Sequence, residues 1–95
     1  MATARLTGSW QGGFSAEVVV TNQGTTRMNG WTVTWTKPDG QTINSAWNGR
    51  LIQNGNSVSV EDVGWNGALA PGASGSFGYA ASGREAIPQL TCLAR

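Results

Sequence analysis

Tryptophan is the residue with the most unusual presence in this sequence, at five in 95 positions. Groups able to make or break bonds are scarce: there is no histidine, one cysteine (Cys92), and five carboxylates, Glu17, Asp39, Glu61, Asp62 and Glu85. Two carboxylates can in principle run glycoside hydrolysis. Asp39 sits in a turn, however, and the adjacent Glu61 and Asp62 would point to opposite faces of a strand. A chain this short also leaves little room for a cleft. The expectation is no catalytic residue, no metal site without histidine, and no cofactor. What five indoles offer instead is flat apolar area for a flat ligand.

Sequence context divides the tryptophans. Trp31, Val33 and Trp35 alternate with Thr32, Thr34 and Thr36, which places both indoles on one face of one strand and predicts that this face is core, joined by Phe14, Phe77 and the Val18/Val20 or Val19 face. Trp10, Trp47 and Trp65 sit among small and polar neighbours at predicted strand ends or loops. Trp47-Asn48-Gly49 and Trp65-Asn66-Gly67 repeat one tripeptide, as though a single local geometry were used twice. Three exposed indoles form contiguous apolar area, which marks a contact surface.

A row of flat rings suits a polymer with flat apolar faces. Pyranose rings joined by equatorial β-1,4 links present such C–H faces, and their edge hydroxyls can bond to polar neighbours of the indoles such as Gln11, Asn48 and Asn66. Covering ~100 Å² of an indole at ~25 cal/mol/Å² contributes roughly 2.5 kcal/mol. Association costs at least about 4 kcal/mol, so one ring cannot hold a ligand alone, whereas three together exceed that cost, which favours an extended polymer over a small sugar. A rival reading is an adhesive sandwich that binds protein, in which the tryptophans would join Arg and Tyr around one pocket.

Charge supports an uncharged partner. Only 12% of residues are charged, against roughly 25% in an average domain, and the net charge is +1 with six Lys or Arg. Nucleic acid and anionic membrane both require clustered cations and are not expected. The longest apolar stretches fall short of the ~18 residues of a membrane span. Met1-Ala-Thr-Ala-Arg5 lacks the apolar region of a signal peptide, which leaves a cytoplasmic protein or an excised mature domain.

The elements that must position the indoles read as strands. Short runs with alternation or β-branched residues recur at Ala2–Ser9, Phe14–Asn22, Gly30–Thr36, Thr42–Trp47, Val58–Asp62, Gly75–Ala81 and Leu90–Leu93. Between them stand Asn29-Gly30, Pro38-Asp39-Gly40, Asn48-Gly49, Asn54-Gly55, Asn66-Gly67 and Pro71-Gly72, each a turn signal. Helix formers are not clustered. The prediction is one all-β domain over 1–95, an antiparallel β-sandwich of the immunoglobulin-like or jelly-roll-like kind with about 8–9 short strands.

In these motifs, taken in order, the chain resembles the family 2 carbohydrate-binding modules. The carriers are Trp10-Gln-Gly-Gly-Phe14, Val20-Thr-Asn22, Asn29-Gly-Trp-Thr-Val33, Ala46-Trp47-Asn48, Gly64-Trp-Asn-Gly67, Leu69-Ala-Pro-Gly72, Phe77-Gly78 and Cys92. The resemblance spans nearly the whole chain. It implies a non-catalytic, secreted bacterial module, a monomer excised from a larger polysaccharide-degrading enzyme. Trp10, Trp47 and Trp65 would form a planar strip on insoluble cellulose, with Trp31 in the core. Xylan-binding members carry Arg three residues past the first Trp; here that position is Gly13 and the middle Trp47 is present, which implies the cellulose type. Chitin, with the same linkage geometry, is the alternative, in a chitinase or oxidative enzyme. At the flanking positions of the face, where members commonly carry Asn or Gln, stand Gly8, Glu17, Ser45, Ser76 and Ala80. The family also joins a Cys near the start to one near the end; the first of these falls on Met1, leaving Cys92 without that partner.

Overall fold

The computed structural model describes residues 1–38, 40–83 and 88–94, so Asp39, in the predicted Pro38-Asp39-Gly40 turn, and Glu85 lie outside the described residues. Eight strands are formed: β1 (Ala2–Trp10), β2 (Gly13–Thr21), β3 (Trp31–Thr36), β4 (Thr42–Trp47), β5 (Arg50–Asn54), β6 (Ser57–Glu61), β7 (Ser74–Ser82) and β8 (Thr91–Ala94). They build two four-stranded sheets, ordered β1-β2-β7-β4 and β5-β6-β3-β8, with every pair antiparallel. This is the expected β-sandwich. β5 was not among the predicted runs, because it is an edge strand whose residues are exposed save for the half-buried Leu51, and it shows no alternation.

Alternation built the interior. Phe14, Ala16, Val18 and Val20 of β2 face inward while Ser15, Glu17, Val19 and Thr21 are half-buried on the outside. From the opposite sheet Trp31, Val33 and Trp35 enter the core as predicted, at 0%, 0% and 5% exposure. Trp31 stacks on Phe77 with centroids 5.4 Å apart, and Trp35 lies against Phe77 at 6.4 Å and Tyr79 at 5.2 Å. The two sheets are thus joined through a continuous aromatic layer, a geometry that contributes beyond area burial.

Burial pushes the Tyr79 phenol up to about 12 from its ordinary 10.0. Its folded pKa lies above the unfolded one, so the stability tied to the neutral phenol is complete below pH ~10 and drains as pH rises toward 12. The expected result is a fall of about 1.4 kcal/mol per pH unit in that window. Urea unfolding at pH 9 to 12 checks this against Tyr79→Phe, which should lack that slope.

Met1 and β8 border one side of the sandwich. Met1 exchanges backbone hydrogen bonds with Thr21, through its amino group to Thr21 O (2.9 Å) and from Thr21 N to Met1 O (2.8 Å). Cys92, a free thiol on β8, borders the same depression of ≈ 440 Å³ as Met1. The two positions that the resemblance pairs by disulfide therefore line one hollow.

Candidate functional site

Three tryptophans are exposed: Trp10 at 54%, Trp47 at 45% and Trp65 at 72%. Trp10 closes β1 and pairs with Gly13 across the turn carrying the exposed Gln11. Trp47 closes β4 and pairs with Gly78 of β7. β1 and β4 are the two edges of one sheet. Both indoles fold inward over its outer face, because a Cβ on Gly13 would come within 2.5 Å of Trp10 Nε1, and one on Gly78 would fall on Trp47 Cε2, Nε1 and Cζ2. Each ring lies on a bare glycine Cα.

Two β-bulges put the indoles on that face. In β1 the register shifts between Leu6 and Gly8, so Arg5 and Trp10, which plain alternation would send to opposite sides, both point outward. In β4 the shift between Ile43 and Ser45 does the same. Ile43 is buried at 3%, and without the extra residue Trp47 would follow it into the core. In register along β2 and β7, Trp10 belongs to the row Gly13–Ser82 and Trp47 to the row Glu17–Gly78. Four residues of β7 separate the rows, roughly 13 Å at the usual strand rise.

Trp65 stands on the loop between β6 and β7, and the loop is built from its polar side chains. Asp62 Oδ1 accepts from Trp31 N (3.0 Å) and its Oδ2 from Gly64 N (3.1 Å). Gly64 takes φ +95°, a left-handed turn that favours glycine, just before the indole. Asn66 Oδ1 accepts from Val63 N (3.0 Å), and Asn66 O accepts from the core indole Trp31 Nε1 (2.8 Å). Asn66 Nδ2 donates to Asn48 O (2.6 Å), tying this loop to the turn after Trp47, and to Ser76 O (3.5 Å) in the outward row next to Gly78.

This geometry gives Asn66 a structural role. At 5% exposure its amide is hydrogen-bonded to backbone partners, and it holds two tryptophan turns together. The repeated tripeptide is also not one geometry used twice: Asn48 is left-handed at φ 59°, while in the second copy the positive φ falls on Gly64, before the indole. Alanine at Asn66 would strand the Val63 amide and the Asn48 carbonyl. We expect Asn66→Ala to cost about 1–3 kcal/mol in urea unfolding, with weakened ligand retention as the two turns separate.

The other polar candidates are on the surface. Asn48 is exposed beside Trp47, and Ser45 is exposed on the same outer face, opposite Ala80. Glu17 lies on that face in the row of Trp47, its carboxylate held by Arg5 (Nη2–Oε1 2.9 Å, Nε donating to Oε1 at 3.1 Å). Sequence reading missed Arg5, the role of Asp62 and the role of Gly78. For Gly78 there was a signal: glycine inside an alternating strand marks close approach of another group.

Relatives carry the same arrangement of elements. Endoglucanase A of Thermobispora bispora is 48% identical over 94 residues, covering 98% of this chain, which spans only 21% of that protein's length. The chitin-binding domain of Chi18aC from Streptomyces coelicolor superposes with TM-score 0.79 at 41% identity, over 96% of this chain and 89% of that one. The cellulose-binding family 2 carbohydrate binding domain of ScLPMO10C superposes with TM-score 0.76 at 34% identity, over 100% of this chain and 95% of that one. The family model described as the cellulose binding domain matches residues 1–94, and with the tryptophan face in place the chain belongs to this carbohydrate-binding family.

Proposed function

We propose that the domain binds insoluble β-1,4-linked polysaccharide, cellulose foremost, by stacking Trp10, Trp47 and Trp65 on pyranose rings. The observation that carries this reading is the pair of indoles seated over Gly13 and Gly78 on one open sheet face, with Trp65 at 72% exposure on a loop tied to the turn after Trp47. Rings seated on a sheet match a flat solid without having to be ordered on binding, which spares the entropy cost that flexible side chains carry. Exposed Gln11, Asn48 and Ser45, with Glu17, would meet hydroxyls at the sugar edges. Chitin is the second reading, favoured by the 41% identity to a domain described as chitin-binding.

The module itself performs no catalysis in this reading. It is a monomeric single domain over 1–95, secreted by a bacterium, that brings an attached polysaccharide-degrading enzyme to its substrate. Support comes from the chain matching only 21% of the length of an endoglucanase. The test is depletion of the purified domain from solution by microcrystalline cellulose, chitin and insoluble xylan. Removal by cellulose above the other two is expected; removal by chitin first would reassign the ligand. A domain left in the supernatant by all three solids would overturn the reading and return the indoles to a protein interface.

A further inference from the structure

Gly78 sits in the middle of the nine-residue β7, between Phe77 and Tyr79, which both turn into the core. Its own outward side therefore belongs to the open face. Strand centres ordinarily favour β-branched or aromatic residues, and glycine weakens them. The backbone does not ask for glycine here, since the described positive-φ positions do not include Gly78. The demand comes from above. A Cβ on Gly78 would coincide with three atoms of the Trp47 indole, Cζ2 among them at 2.5 Å, closer than packed atoms allow.

When such a clash is introduced, the softer partner moves. β7 is hydrogen-bonded to β2 on one side and β4 on the other, so its backbone is fixed. Trp47 is the last residue of an edge strand, half exposed, and its ring can swing outward about χ1 and χ2. We propose that Gly78 is a positioning residue for the Trp47 indole and thereby selects for flat solids: its bare Cα is the floor that keeps this ring parallel to the sheet and level with Trp10 on Gly13. The proposal rests on the polysaccharide reading for its functional consequence. A side chain as small as a methyl tilts Trp47, and a tilted ring meets a planar polymer surface along an edge only.

The experiment compares wild type, Gly78→Ala, Trp47→Ala and the double variant in depletion isotherms on whichever solid the wild type binds. Gly78→Ala is expected to lose about tenfold in affinity, approaching the loss from deleting the ring itself. Without the indole there is nothing to tilt, so adding Gly78→Ala to Trp47→Ala should change affinity less than about twofold. Wild-type affinity in Gly78→Ala overturns the proposal, as does an equal loss in the presence and absence of Trp47. A second measurement is independent of any solid: an indole over Gly78 shifts the glycine Hα resonances upfield in the wild-type proton spectrum, and Trp47→Ala should abolish the shift. Absence of that shift overturns the seat even if Gly78→Ala fails to fold. A wild type that no solid retains, with the shift present, defeats the polysaccharide reading and with it the proposed selection for flat solids.

Discussion

Alanine at Trp47 is expected to weaken retention on the polysaccharide bound by the wild-type domain by tenfold or more, and alanine at Trp10 or Trp65 to do the same. Each indole brings about 2.5 kcal/mol when ~100 Å² is covered, a factor of roughly 70, from which imperfect coverage subtracts. Removing two leaves a single ring against an association cost of at least about 4 kcal/mol, so double variants should stay in the supernatant altogether. These losses should come without unfolding. All three side chains are exposed, and the hydrogen bonds that build the Trp65 loop belong to Asp62, Gly64, Asn66 and Trp31. Depletion isotherms paired with thermal unfolding check both halves. Equal retention in all three single variants, with an unchanged fold, would show that the indoles do not contact the solid.

The second large effect is on stability. Trp31→Ala should cost about 3–5 kcal/mol, the range for emptying a large aromatic site in a packed core. Trp31 is fully buried and stacks on Phe77 of the opposite sheet, so the cavity opens between the two sheets. Its indole also donates to Asn66 O at 2.8 Å, and the truncation leaves that carbonyl without this donor in the interior. The Trp65 loop hangs on the same residue, so what binding survives should be weaker than in wild type. Urea unfolding reads the stability loss. A change below 1 kcal/mol would show that the aromatic layer is not what joins the sheets.

These expectations trace back unevenly to the sequence. The threonine-tryptophan alternation of β3 reveals a core face without any tertiary information, because strand side chains alternate strictly and only one face can be buried. Turn residues at regular spacing point to a sandwich, and seven of the eight strands lie where short alternating runs stand. The edge strand β5 escapes because a strand with little to bury leaves little pattern. The structural role of Asn66 was hidden for a related reason. An asparagine beside an exposed tryptophan reads as a surface group, and only the fold shows that the loop turns its amide toward Asn48 and Ser76.

The sequence alone determines that Trp31 and Trp35 are interior and that Trp10, Trp47 and Trp65 are not, since small and polar neighbours cannot supply a core around an indole. Whether the exposed rings share a face was left to the tertiary structure. Alternation counted from Arg5 or from Ile43 predicts the wrong side for Trp10 and Trp47, and the bulges at Leu6/Gly8 and Ile43/Ser45 reverse it. A bulge changes parity for every residue beyond it, and its position depends on cross-strand pairing, which one strand's residues do not encode. The glycine floors depend on the same pairing: Gly13 and Gly78 meet Trp10 and Trp47 only once β1 registers on β2 and β4 on β7.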